Sequence, residues 1–126
     1  MALRTPIGRV RGLGSAKAGT EHWWMQRMTA VALLPLSAWF VISMICLAGA
    51  PYAEAAAWLA RPLNAVLALL TVVATFHHLQ LGLQVVIEDY VHHEGVKLFS
   101  LIGLKLASVA LAVAGGFAIL KVAFGG

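Results

Sequence analysis

Two adjacent histidines, His77 and His78, interrupt an otherwise uncharged apolar segment, and Glu88-Asp89-Tyr90 closes the same run. Polarity inside such a segment is costly and needs a reason. Taken as a helix at about 100° per residue, the steps from His78 to Gly82 and from His78 to Asp89 both return nearly to one face. At about 1.5 Å per residue, His78 lies roughly 16 Å along the axis from Asp89. In a hydrocarbon core about 30 Å thick, His78 then sits near the middle and Asp89-Tyr90 at the rim.

A neutral imidazole at that depth can ligate haem iron. Gly82, one turn along on the same face, leaves room for a flat porphyrin against the backbone. His77 points about 100° away, so two-histidine ligation of one iron needs a second histidine from another chain. His77 itself is expected to pack or to hydrogen-bond between helices. At the rim, Tyr90 can donate its O–H to a quinone carbonyl, while Asp89 orients it or relays protons. Arg27 can offer positive charge to Asp89 or to a haem propionate. The plainer alternative makes His78 a hydrogen-bonded packing residue, Arg27 and Asp89 an interfacial ion pair, and Tyr90 an aromatic anchor. The residues alone leave both open.

The elements that must position these groups are membrane spans. The chain of 126 residues is 61% hydrophobic and 11% charged, with mean hydropathy +0.88, whereas soluble domains carry roughly a quarter charged residues. The expected fold is an all-α membrane protein forming a single anchor domain. The net charge of +4 does not point to nucleic acid, because Arg4, Arg9, Arg11 and Lys17 crowd the tail over residues 1–21. Such a basic tail is expected on the cytoplasmic side. Up to Ala18 it has no acid and no apolar core of signal-peptide length, which argues against a secretory signal; its arginines leave an organellar presequence conceivable. Cys46 has no partner for a disulfide or a cluster and is expected to be a small buried hydrophobe.

Three apolar runs, at about 28–50, 62–88 and 98–122, are each long enough to cross a bilayer. His22-Trp23-Trp24 before the first suits a membrane interface, and Arg27 opens the span itself. Pro35 is expected to kink that span without ending it. Ala53 to Arg61 reads as a short interfacial helix or loop. Pro62 suits the first turn of the second helix, which carries on to about Tyr90. Val91 to Gly95 reads as the next turn. Lys105 and Lys121 can snorkel to opposite interfaces of the third span, and its stripe of Gly103, Ala107, Ala110 and Ala114 suits close helix packing. With the tail inside, the C-terminus lies outside, and Arg27 and Asp89-Tyr90 are expected to meet at the cytoplasmic rim.

His78, Gly82 four residues on, and Asp89-Tyr90 closing the second of three spans resemble the membrane anchors of succinate:quinone oxidoreductase, above all the small hydrophobic cytochrome b subunit called D. Arg27-Met28-Thr29-Ala30 is similar to that subunit's Arg-x-Thr-Ala start. The resemblance covers the chain from about His22 onward. Gln84 lies one place out of the family's register, so no role is carried onto it.

The resemblance implies that His78 is an axial ligand of haem b, with the other ligand coming from a second anchor subunit. It implies that Tyr90 hydrogen-bonds ubiquinone with Asp89 beside it, and that Arg27 lies near both the haem propionates and the quinone. It adds His22 to the propionate region, and it implies flavoprotein and iron–sulfur partner subunits in a bacterial inner membrane, with the mitochondrial inner membrane as second choice. This chain has neither a dinucleotide fingerprint nor a cysteine set, so it can supply only the last step of electron transfer. The rivals are a fumarate-reductase-type anchor using menaquinone, a haem-free structural anchor, and a small proton-coupled transporter using His77, His78 and Asp89. The transporter is disfavoured because Glu88 and Asp89 sit at the rim and no inverted repeat is evident.

Overall fold

The computed structural model describes residues 5–12 and 19–125; Arg4 and Lys17 of the basic tail lie outside the described residues. The described elements are helical: α1 (Pro6–Val10), α2 (Gly19–Leu47), α3 (Tyr52–Leu59), α4 (Pro62–Tyr90) and α5 (Glu94–Ala123). α2, α4 and α5 are long and apolar enough to cross a membrane.

Local chemistry sets the boundaries. α2 starts at Gly19, about two and a half turns ahead of Met28. Hydropathy registers only the apolar run, whereas nothing in Glu21 to Arg27 breaks a helix. α2 passes through Pro35 without interruption. It ends where Gly49 takes a φ of 79°, a left-handed conformation suited to glycine after a helix. Across the turn, Trp58 of α3 stacks on Trp39 of α2 with centroids 5.6 Å apart. Asn64 Nδ2 donates to the Trp58 carbonyl at 2.9 Å, fastening α3 to the start of α4. The connection from α4 to α5 is shorter than predicted, because His93 caps α5 by accepting the Val96 N–H on Nδ1. Glu94 and Lys97 then pair at 3.5 Å in the first turn, the acid at the end where the helix dipole favours it.

α4 is the middle of the bundle, with α2 packed on one side and α5 on the other. Among the described residues only Leu81, Thr29 and Ser108 are buried, and most large apolar side chains face outward. That suits lipid or partner helices, since contact between helices in a bilayer rests on close fit rather than on removing apolar surface from water.

Two expectations are corrected here. Gly103, Ala107, Ala110 and Ala114 are all exposed. α5 instead meets α4 through the row of Ser108, Ala112, Gly115 and Gly116. A Cβ on Gly115 would come within 3.2 Å of Val72 Cγ1, and one on Gly116 within 3.6 Å of Leu69 Cδ2. The predicted stripe lies about 130° round the helix from Ser108; spacing reveals a stripe but not which neighbour it meets. Cys46 is exposed rather than buried, because it lies about 100° round α2 from Thr29, on which side α4 packs.

Candidate functional site

Thr29 is one of the few buried polar residues, 8% exposed. Its Oγ1 lies 2.8 Å from the Met25 carbonyl and 3.1 Å from the Gln26 carbonyl, one turn back on its own helix. It also lies 3.0 Å from His78 Nδ1 on α4. A hydroxyl has a single hydrogen. Given to its own backbone, as helical threonines can do, it leaves Thr29 to accept from the imidazole, the arrangement in which Nδ1 carries the ring proton. In that tautomer the Nε2 lone pair of His78 is free of the proton. No hydrogen bond to Nε2 occurs among the described residues. Thr29 was visible in the sequence only as part of the opening motif, because its distance from His78 depends on how two helices align.

One turn on, a Cβ on Gly82 would lie 3.5 Å from Gln26 Nε2. The room beside Gly82 therefore faces the amide of Gln26 on α2, whose Oε1 is buried without a partner. Thr29 opposite His78 and Gln26 opposite Gly82 define the antiparallel register. By that register Arg27 lies about 3 Å along the axis from the level of His78, and roughly 13 Å short of Asp89. Arg27 and Asp89-Tyr90 do not converge, and no Arg27–Asp89 ion pair forms. Starting α2 at Gly19 puts Gly19 to His22, rather than Arg27, at the level of the rim. The Arg27 guanidinium instead lies over the Trp23 ring, 5.4 Å from its centroid, a cation–π arrangement.

Asp89 and Tyr90 are exposed, Tyr90 at 77%. Next to them Gln84 Nε2 donates to Glu88 Oε1 at 3.0 Å, a contact the sequence reading did not anticipate. His22 lines a cleft with His77, not with His78. Of the two roles expected for His77, the interhelical hydrogen bond is not made: its Nε2 is buried and has no partner among the described residues, as is His22 Nε2. No group of three or more His, Cys, Asp or Glu converges on a metal site among the described residues.

These features define a three-span helical membrane protein in which His78 of the second long span is hydrogen-bonded to Thr29 of the first. The profile of the succinate dehydrogenase/fumarate reductase transmembrane subunit family matches residues 1–115, and the chain belongs to that family. It is 34% identical over 112 residues to the succinate dehydrogenase hydrophobic membrane anchor subunit of Rickettsia bellii, covering 89% of this chain and 90% of the relative. It is 31% identical over 123 residues to the subunit of the same name from Paracoccus denitrificans, covering 98% and 88%. The succinate dehydrogenase membrane anchor subunit of Reclinomonas americana is 26% identical over 98 residues, covering 75% and 82%. No solved structure matches the chain.

Proposed function

We propose that the chain is the D-type anchor of a bacterial succinate:quinone oxidoreductase. With a second anchor subunit it holds haem b, docks the iron–sulfur and flavoprotein subunits at the Tyr90 end, and serves the reduction of ubiquinone. The observation that carries this reading is the Thr29–His78 contact at membrane depth in a chain of this family.

The residues fit the haem. An imidazole that donates its Nδ1–H to a neighbour presents a correctly oriented, more basic Nε2 to a metal, and Thr29 imposes that state on His78. His78 would be the axial ligand this chain supplies, with the other coming from the partner anchor. Arg27, level with His78, would face the propionates. Gly82 would keep the α2–α4 seam thin beside the haem, and His22 stands nearer the rim. Haem b, when bound, supplies one-electron storage. At the rim Tyr90 would donate its O–H to a quinone carbonyl while Asp89 orients it or passes on protons from water. The basic tail on the cytoplasmic side gives the orientation this scheme needs.

The test is a reduced-minus-oxidised visible spectrum of the complex purified through this subunit, for wild type and His78→Ala, beside succinate-dependent ubiquinone reduction. A b-type α-band lost in the variant is expected. An intact wild-type complex without the band would leave a haem-free anchor, and turnover of fumarate with menaquinol in place of succinate oxidation would reverse the direction assigned.

A further inference from the structure

The connection from α4 to α5 runs only from Val91 to His93, and both of its ends are tied. On the α4 side the Val91 N–H donates to the Ile87 carbonyl at 3.0 Å. On the α5 side the Lys97 N–H donates to the His93 carbonyl at 2.9 Å, and the Val96 N–H donates to His93 Nδ1 at 3.3 Å. His93 thus opens the helix with its carbonyl and satisfies an orphan first-turn N–H with its ring.

A histidine is an uncommon choice for that place. Side-chain caps are usually Ser, Thr, Asp or Asn, whose short side chains reach the N–H without crossing the turn. An imidazole needs room over the first turn, and Gly95 provides it. A Cβ on Gly95 would come within 3.3 Å of His93 Cε1 and 3.5 Å of His93 Nδ1. The backbone does not itself ask for glycine here, since Gly95 is not among the glycines with positive φ. Glycine inside a helix is also unfavourable relative to alanine. The two residues account for each other: the ring caps, and the missing side chain admits it.

The cap stands three residues beyond Tyr90. Asp89 and Tyr90 are exposed, so the backbone beneath them, rather than packing, steers their side chains. α4 and α5 pack against each other, and the tied connection fixes the last turn of one against the first turn of the other.

We propose that His93 is a positioning residue for the quinone site at Asp89-Tyr90, acting through the α5 cap, and that it needs Gly95 in order to do so. The proposal rests on the quinone reading above and adds two residues that the reading does not use.

The test uses the whole complex. Loss of one side-chain cap changes a local equilibrium by about fivefold. His93→Ala is expected to raise KM for ubiquinone by about that factor, with kcat and the b-type spectrum near wild type, and to speed hydrogen exchange over residues 91–99. His93→Ser, which caps without an imidazole, should restore both. Gly95→Ala should reproduce part of the defect beside His93 and none of it in the His93→Ser background, where no ring lies over the turn. Unchanged KM in His93→Ala overturns the proposal. Slow exchange recovered in His93→Ser without recovery of KM also overturns it, because the imidazole itself would then act on the quinone. An equal effect of Gly95→Ala in both backgrounds does the same. Absence of succinate-dependent ubiquinone reduction in the wild-type complex identifies failure of the underlying reading instead.

Discussion

Thr29 and His78 meet across the seam of α2 and α4, with Oγ1 3.0 Å from Nδ1. With the hydroxyl hydrogen on the carbonyl of Met25 or Gln26, the contact has a direction: imidazole donates, threonine accepts. A residue on the first span thereby decides which nitrogen of the second span is free to bind.

Thr29→Val keeps the shape and removes the acceptor. The Nδ1–H then points at a methyl group, and the ring loses both its orientation and its tautomer preference. Outer-shell partners of metal-bound histidines are worth about 10–100-fold in affinity. A drop of that order in haem retained per complex is expected for Thr29→Val, with Thr29→Ser near wild type. Equal haem content in the valine and serine variants would show that His78 is oriented from elsewhere.

Much of α4 was legible in the sequence, because one helix carries its own ruler: His78, Gly82 and Asp89 share a face and have fixed separations along the axis. What was not legible is how α4 aligns with its neighbours. The apolar run beginning at Met28 hid the true start of α2 at Gly19, and with it the pairing of Thr29 with His78 and of Gln26 with Gly82. Periodicity likewise displayed the Gly103–Ala114 stripe of α5, yet the contact with α4 went to the row through Ser108 and Gly115. His77 shows the same limit: its face could be assigned, but not the cleft that face opens onto.

Gly82 separates tolerance from close approach. A Cβ there meets only Gln26 Nε2, at 3.5 Å, an ordinary contact with the flexible end of a side chain. Gly82→Ala is expected to keep haem and to stabilise α4 by up to about 1 kcal/mol from helix propensity alone. Gly82→Phe must push α2 outward and break the Thr29–His78 contact. Thermal stability together with the α-band of each variant checks this, and loss of haem already in the alanine variant would mean that the space beside Gly82 is needed whole.

Tyr90 is 77% exposed, and its removal should leave the bundle undisturbed. Tyr90→Phe is expected to lower the rate of succinate-dependent ubiquinone reduction while the haem spectrum and the yield of complex stay at wild-type values. Unchanged turnover in that variant would make Tyr90 an aromatic anchor at the interface.

Arg27 and Asp89 offer the sharpest test of register. An ion pair would couple them, and removing either partner would already forfeit the interaction. With Arg27 over Trp23 and roughly 13 Å of axial separation from Asp89, the two act at different depths. Arg27→Leu is therefore expected to alter the haem midpoint potential or haem content, and Asp89→Asn to alter quinone turnover with the haem unaffected. In the double variant, each single change is expected to shift quinone turnover by the same factor as it does alone, within the ~0.5 kcal/mol typical of sites more than about 7–10 Å apart without shared partners. A coupling energy clearly above that range would require the two side chains to meet in the assembled complex, and with it a sliding of α2 along α4 that the Thr29–His78 contact forbids.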